Sequence, residues 1–146
     1  MGLIDELGDG LLAVDTSPFS YFVEEHPRYV SVVDQLFEAV VRGDRRIVAS
    51  SLTLLELLVV PYRSGDLALA ARYEALLTRT RGLRLAHLTL PVLRTAAHLR
   101  ATTRVKTADA IQLATAITAG CSAFITNDAR LPAVPGLRMV VLDAYC

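Results

Sequence analysis

Lysine is almost missing from this chain: Lys106 is the only one in 146 residues, and every other basic residue is arginine. Two readings are open. Genome composition can favour arginine codons, or the planar guanidinium fork is being used against phosphate oxygens. Cysteine is scarce too. Cys121 and Cys146 form neither a disulfide framework nor a metal-type spacing, so Cys121 reads as a core residue and Cys146 as a free tail thiol. That usage fits a reducing cytoplasm. No apolar run approaches the roughly 18 residues of a membrane helix, although 53% of residues are apolar and mean hydropathy is +0.41. Part of that apolar surface is therefore expected to be covered by a partner or a second copy. The start, Met1-Gly-Leu-Ile-Asp-Glu-Leu-Gly-Asp, lacks the basic segment and long apolar stretch of a signal peptide. Repeats, linkers and low-complexity segments are absent as well. The length suits one domain, and the apolar content excludes disorder.

Acids are unevenly spread. Residues 1–74 hold twelve acids and six bases, whereas residues 75–142 hold nine bases and only two acids, Asp109 and Asp128. A net charge of zero hides this division.

Short apolar runs alternate with helical patterns. Strands are expected at Leu11–Asp15, Arg46–Ser50, Leu83–Leu88, Ala123–Thr126 and Leu137–Leu142. Helices are expected at Phe19–Glu24, Val30–Arg42, Ser51–Arg63, Leu67–Arg79, Pro91–Arg100 and Thr107–Ala119, with Thr16, Ser17 and Pro18 opening the first. This alternation predicts an α/β fold: a three-layer α/β/α sandwich around a parallel sheet of about five strands. Ligands in such folds bind beyond the carboxyl ends of the strands, where strand order reverses. Asp15 ends the first strand, Asp128 follows the fourth, and Glu56 and Asp109 lie near helix starts that abut the same edge.

Each acid also has a plain structural role. Asp15 and Asp128 suit turns, where Asp accepts backbone N–H groups. Thr53-x-x-Glu56 fits a capping box, although a helix starting before Thr53 would leave Glu56 as the lone charge in Leu52-Thr-Leu-Leu-Glu-Leu-Leu-Val-Val. Thr107 is available as a cap, and Asp109 complements the helix dipole. Taken together the four acids strain these explanations. Four carboxylates within a few ångströms cannot all stay ionised without a counter-charge. A hard divalent cation such as Mg²⁺ or Mn²⁺ supplies one and prefers oxygen ligands.

The words Val14-Asp-Thr-Ser17, Thr53-Leu-Leu-Glu56, Lys106-Thr-Ala-Asp109-Ala-Ile-Gln-Leu-Ala-Thr115 and Ile125-Thr-Asn-Asp128 resemble the PIN-domain ribonuclease family, in particular VapC-type toxins. The resemblance runs from about residue 11 to near the end. It implies a single PIN-like domain over 1–146, with residues 1–10 either an N-terminal extension or the product of an early start codon. It also implies a metal-dependent endoribonuclease, dimeric, neutralised by a small antitoxin. Asp15, Glu56, Asp109 and Asp128 fall on the family's acidic positions, and Thr16 and Thr126 on hydroxyl positions that support the acids or the metal-bound water. Ser17 stands where asparagine is common, which touches polar support and not the metal ligands.

The chemistry this implies is phosphodiester hydrolysis with no covalent nucleophile. Arg100, Arg104, Lys106 and Arg130 flank the acid-bearing segments as candidate RNA phosphate contacts. His26, His87 and His98 are scattered and receive no catalytic role. Tyr21 and Phe22 suit either base stacking or the core. A different class, a catalytically silent PIN-fold module binding protein partners, is the alternative. A haloacid-dehalogenase-like phosphatase would need an acid where Ser17 stands. A receiver domain would need a paired acid near its first strand and a lysine after its last; Asp9 and Lys106 are both misplaced.

Overall fold

The strands form where branched and aliphatic residues run together, and the sheet they make sets the position of everything else. The structure, a computed structural model, describes residues 2–146. Strands β1 (Leu12–Val14), β2 (Ile47–Ser50), β3 (Leu83–Ala86), β4 (Ala123–Thr126) and β5 (Arg138–Val141) pair in parallel in the order β3-β2-β1-β4-β5. Chain order turns outward in both directions from β1. The reversal therefore lies between β1 and β4, whose carboxyl ends carry Asp15 and the turn to Asp128.

Among the described residues seven helices cover the sheet: α1 (Leu3–Glu6), α2 (Thr16–Val23), α3 (Val30–Val41), α4 (Ser51–Ser64), α5 (Leu67–Arg79), α6 (Leu90–Thr102) and α7 (Thr107–Thr118), followed by a 3-10 turn at Leu142–Tyr145. Successive strand residues point to opposite faces. Leu12 and Val14 join a core with α1, α2, α3, α4 and α5, built on Phe19, Leu36, Phe37 and Tyr73. Ala13, between them, faces α6 and α7 with Val48, Phe124, Leu113 and Ala114. The expected three-layer α/β/α sandwich is the observed architecture.

Helices α2 and α6 start earlier than their residues imply, while α4 and α7 start at Ser51 and Thr107 as expected. Helix α2 begins at Thr16, not Phe19, since Asp15 is its N-cap and accepts the Thr16 N–H at 2.8 Å. Helix α4 begins at Ser51, capped by Ser50, so Thr53 and Glu56 are not a capping box. Helix α7 starts at Thr107 with Lys106 in the cap position and no side-chain cap bond, so Thr107 does not cap it. Helix α6 begins one residue early because Thr89 accepts the Val92 N–H.

Residues 3–7 are packed into the core: Leu3 and Leu7 are buried against α3 and the sheet. A four-residue helix has no stability alone. Burying each leucine contributes about 1.5–3 kcal/mol and holds it there. Glu6 anchors the segment by accepting from the guanidinium of Arg138 and the hydroxyl of Tyr145. The turn into β3 requires Gly82, whose φ is +88° and whose missing Cβ would lie 3.0 Å from the Val40 carbonyl. Cys121 is buried, which pushes its thiol up to about 11, while Cys146 is exposed; both are free. Among the described residues no helix is long and apolar enough to cross a membrane. Leu55, Val59 and Tyr62 stand exposed along α4.

Candidate active site

The site is built where β1 and β4 end side by side. Asp15 continues the β1–β4 ladder, its N–H donating to the Ile125 carbonyl at 2.9 Å. Its side chain then turns into the gap. Oδ1 accepts the Thr16 N–H, and Oδ2 accepts the Thr126 hydroxyl at 2.8 Å. Thr126 is fully buried, and its oxygen also accepts the Asp128 N–H at 3.1 Å. The two hydroxyls singled out from the sequence therefore touch the acids: Thr126 binds Asp15, and Thr16 donates to Glu56 Oε1 at 2.6 Å.

Glu56 reaches the same edge from α4, one turn after the buried Thr53. Its Oε1 also accepts from Gln112 Nε2 at 3.0 Å, across from α7. Gln112 lies three residues after Asp109, so the two share one helix face. Asp109 makes no side-chain hydrogen bond or ion pair among the described residues.

Electrostatics tie the four acids together. Burial pushes the Asp15 carboxyl above its ordinary value; hydrogen bonds from Thr126 and Thr16 oppose this, and the charges of Asp109 and Glu56 add to it. Burial also raises Asp109, followed by repulsion from Asp128 and Glu56, with Lys106 and Arg130 pulling the other way. Asp128 moves down instead, held by the side chain and backbone N–H of Arg130. Arg130 grips it through one guanidinium edge, Nε to Oδ1 at 3.1 Å and Nη2 to Oδ2 at 3.4 Å.

A cleft opens over this edge, with Arg104, Lys106 and Arg130 facing Asp109 and Asp128. Three of the four basic candidates line it. Arg100 does not; its guanidinium braces the loop between α6 and α7 through the Val105 carbonyl and the Thr107 hydroxyl. None of the three histidines hydrogen-bonds an acid of the site, and His26 packs edge-on against Tyr21. Tyr21 stacks on Tyr29 and Phe22 on Phe37, so both rings serve packing.

Among the described residues, no three His, Cys, Asp or Glu side chains stand arranged to enclose a metal ion. Hydrogen-bond donors contact both oxygens of Asp15, both of Asp128 and one of Glu56. The donor chemistry nonetheless fits a hard divalent cation. All four groups are carboxylates, Asp109 is unpaired among the described residues, and burial, with mutual repulsion added, raises both Asp15 and Asp109.

Gln112 was not singled out in the sequence, and Thr53 only as a helix cap and as part of a family word. The available signal was an amide inside the apolar face of α7 and a buried hydroxyl one turn before Glu56.

The family model described as PIN domain matches residues 12–137. Among solved structures, VapBC2 from Rickettsia felis, bound to a DNA fragment from its promoter, superposes with a TM-score of 0.70 at 16% identity, covering 88% of this chain and 96% of that one. DNA-bound VapBC from Salmonella typhimurium gives 0.64 at 19%, covering 90% and 97%. Mycobacterium tuberculosis VapC20, a sarcin-ricin loop cleaving toxin, gives 0.62 at 16%, covering 77% and 86%. At these identities the likeness is one of fold. No curated protein sequence matches this chain.

Proposed function

This chain belongs to the PIN-domain family, and from that premise we propose that it is a divalent-metal-dependent endoribonuclease, the toxin of a toxin–antitoxin pair acting in the cytoplasm. The observation that carries this reading is the convergence of Asp15, Glu56, Asp109 and Asp128 on one sheet edge, beside a basic cleft.

Asp15, Asp109 and Asp128, with Glu56 direct or through water, would hold one or two Mg²⁺ or Mn²⁺ ions. Such ions supply positive charge at the scissile phosphate and activate water for attack on phosphorus. The chain's own residues do the arranging. Thr126 aims Asp15, Thr16 and Gln112 hold Glu56, and the first turn of α7 keeps Asp109 near the positive end of the helix dipole. Asp128 would have to part from Arg130 to hold an ion, and Arg130 with Arg104 and Lys106 would contact the RNA backbone, a form of contact that positions without reading sequence. The solved VapBC structures support a small antitoxin as partner. The exposed apolar residues of α4 support a homodimer.

Asp15→Asn or Asp109→Asn abolishes divalent-dependent cleavage of single-stranded RNA while far-UV circular dichroism stays unchanged, and excess chelator silences the wild type. Full cleavage in either variant, or in chelator, overturns the reading. The three-contact grip of Arg130 on Asp128 favours the second reading, a catalytically silent protein-binding module. Calorimetric titration with Mn²⁺ separates the two, since the silent module gives no heat of binding.

A further inference from the structure

We propose that Gln112 is a positioning residue. Through a closed ring of hydrogen bonds with Thr53 and Thr16 it pins Glu56 Oε1 and leaves Oε2 as the one oxygen Glu56 can offer to the acidic cluster. The inference rests on the nuclease reading above and extends it to side chains that reading does not require.

Gln112 is 3% exposed and Thr53 fully buried. Gln112 Nε2 lies 3.0 Å from Glu56 Oε1, 3.0 Å from Thr53 Oγ1 and 3.2 Å from Thr16 Oγ1. Thr16 Oγ1 lies 2.6 Å from Glu56 Oε1 and 3.1 Å from Thr53 Oγ1. Placing each hydrogen on the shortest contacts open to it gives one pattern. The Thr16 hydrogen takes the shortest contact, to Glu56. Gln112 gives one hydrogen to Glu56 and its second to Thr53, and Thr53 returns its own to Thr16. Rotating the amide by half a turn would set its oxygen against Glu56 Oε1, acceptor to acceptor, so the ring fixes the orientation of Gln112.

Three elements meet in this ring: the start of α2, the first two turns of α4, and α7. Asp109 stands one turn before Gln112 and Asp15 immediately before Thr16. The ring thereby sets Glu56 relative to two other acids through backbone already committed to those acids. Buried networks of this type are rigid when every member is satisfied, and costly when one is removed.

The test combines a spectroscopic and a thermodynamic measurement. Gln35, the only other glutamine, is exposed and serves as an internal reference. In ¹⁵N-labelled protein the Gln112 side-chain protons should exchange with deuterium at least about tenfold more slowly than those of Gln35. Their resonances should shift and lose protection in Glu56→Ala. Exchange as fast as that of Gln35, or no response to Glu56→Ala, overturns the ring without reference to any metal. Calorimetry with Mn²⁺ then tests positioning. Gln112→Leu should weaken binding about tenfold or more, as loss of a partner behind a ligand does, and change it less than about twofold in a Glu56→Ala background. No loss, or equal loss in both backgrounds, overturns the proposal. Where Gln112→Leu fails to give a cooperative melt, Thr53→Val opens the ring at its Thr53 corner at constant shape and should weaken Mn²⁺ binding in the wild-type but not in the Glu56→Ala background. A wild type that binds no Mn²⁺ sinks the nuclease reading alone; the exchange experiment still decides the ring.

Discussion

Thr126 donates a 2.8 Å hydrogen bond to Asp15 Oδ2, joining the last residue of β4 to the first residue beyond β1. The same hydroxyl accepts the N–H of Asp128. One buried oxygen thus sets the spacing of two acids that lie 113 residues apart in number but face each other where the sheet reverses.

Thr126→Val keeps the shape and removes both bonds. It leaves an Asp15 oxygen and the Asp128 N–H without this partner, which costs about 1–3 kcal/mol. RNA cleavage falls about 10–100-fold, the usual effect of losing a group that orients a metal ligand. Urea midpoints and cleavage rates check this, and Thr126→Ser should restore both. Unchanged cleavage in the valine variant would refute the role.

Asp109 carries charge that its surroundings resist: burial comes first, then repulsion from Asp128 and Glu56. Asp109→Asn is therefore expected to raise the melting temperature in chelator. With Mn²⁺ at about 100 times its Kd the wild type gains about 2.7 kcal/mol, and the variant loses most of that gain. A variant less stable than wild type in chelator would show that this charge is not resisted.

Tyr73 is 2% exposed and donates its hydroxyl to Glu24; burial, then that bond, pushes it up to about 12 from 10.0. A raised folded-state value favours the neutral phenol. Its contribution is fully present below pH 10 and is lost as pH rises through 12. Absorbance at 295 nm should show one of the five tyrosines titrating near pH 12, with stability falling across that window. Tyr73→Phe should remove that part of the pH dependence. A complete tyrosine titration by pH 11 would contradict the assignment.

Leu55, Val59 and Tyr62 lie at i, i+4 and i+7 on α4, exposed by 61%, 40% and 58%. Apolar side chains at that spacing form one stripe. Sedimentation of the isolated protein is expected to show a dimer, and Leu55→Asp with Val59→Asp a folded monomer. A wild type that sediments as a monomer at micromolar concentration removes the argument for a second copy on this face.

Local chemistry was enough to read much of this molecule. Leu67–Arg79 and Ala123–Thr126 appear at the bounds their residues imply, because a strong period and clear stop signals need no help from distant contacts. Asp15 and Asp128 could be placed at one edge because parallel strands carry their carboxyl ends to the same side. At α2 the chain alone misled, because Asp15 moved the start back to Thr16; at α4 the expected start at Ser51 holds, with Ser50 as the cap. Leu3 and Leu7 have too short a period to announce a helix, and their burial depends on a groove formed by α3 and the sheet.

The residue types, their order and the alternation of strand and helix belong to the chain itself, because hydrophobic period and turn chemistry act over a few residues. Which polar groups meet is another matter. Gln112 finds Glu56 across 56 positions and Thr53 across 59, and Arg100 is drawn from the cleft to brace a loop. Those pairings follow from how helices seat on the two faces of the sheet. A buried donor must find an acceptor at that seating, and no spacing along the chain specifies which one.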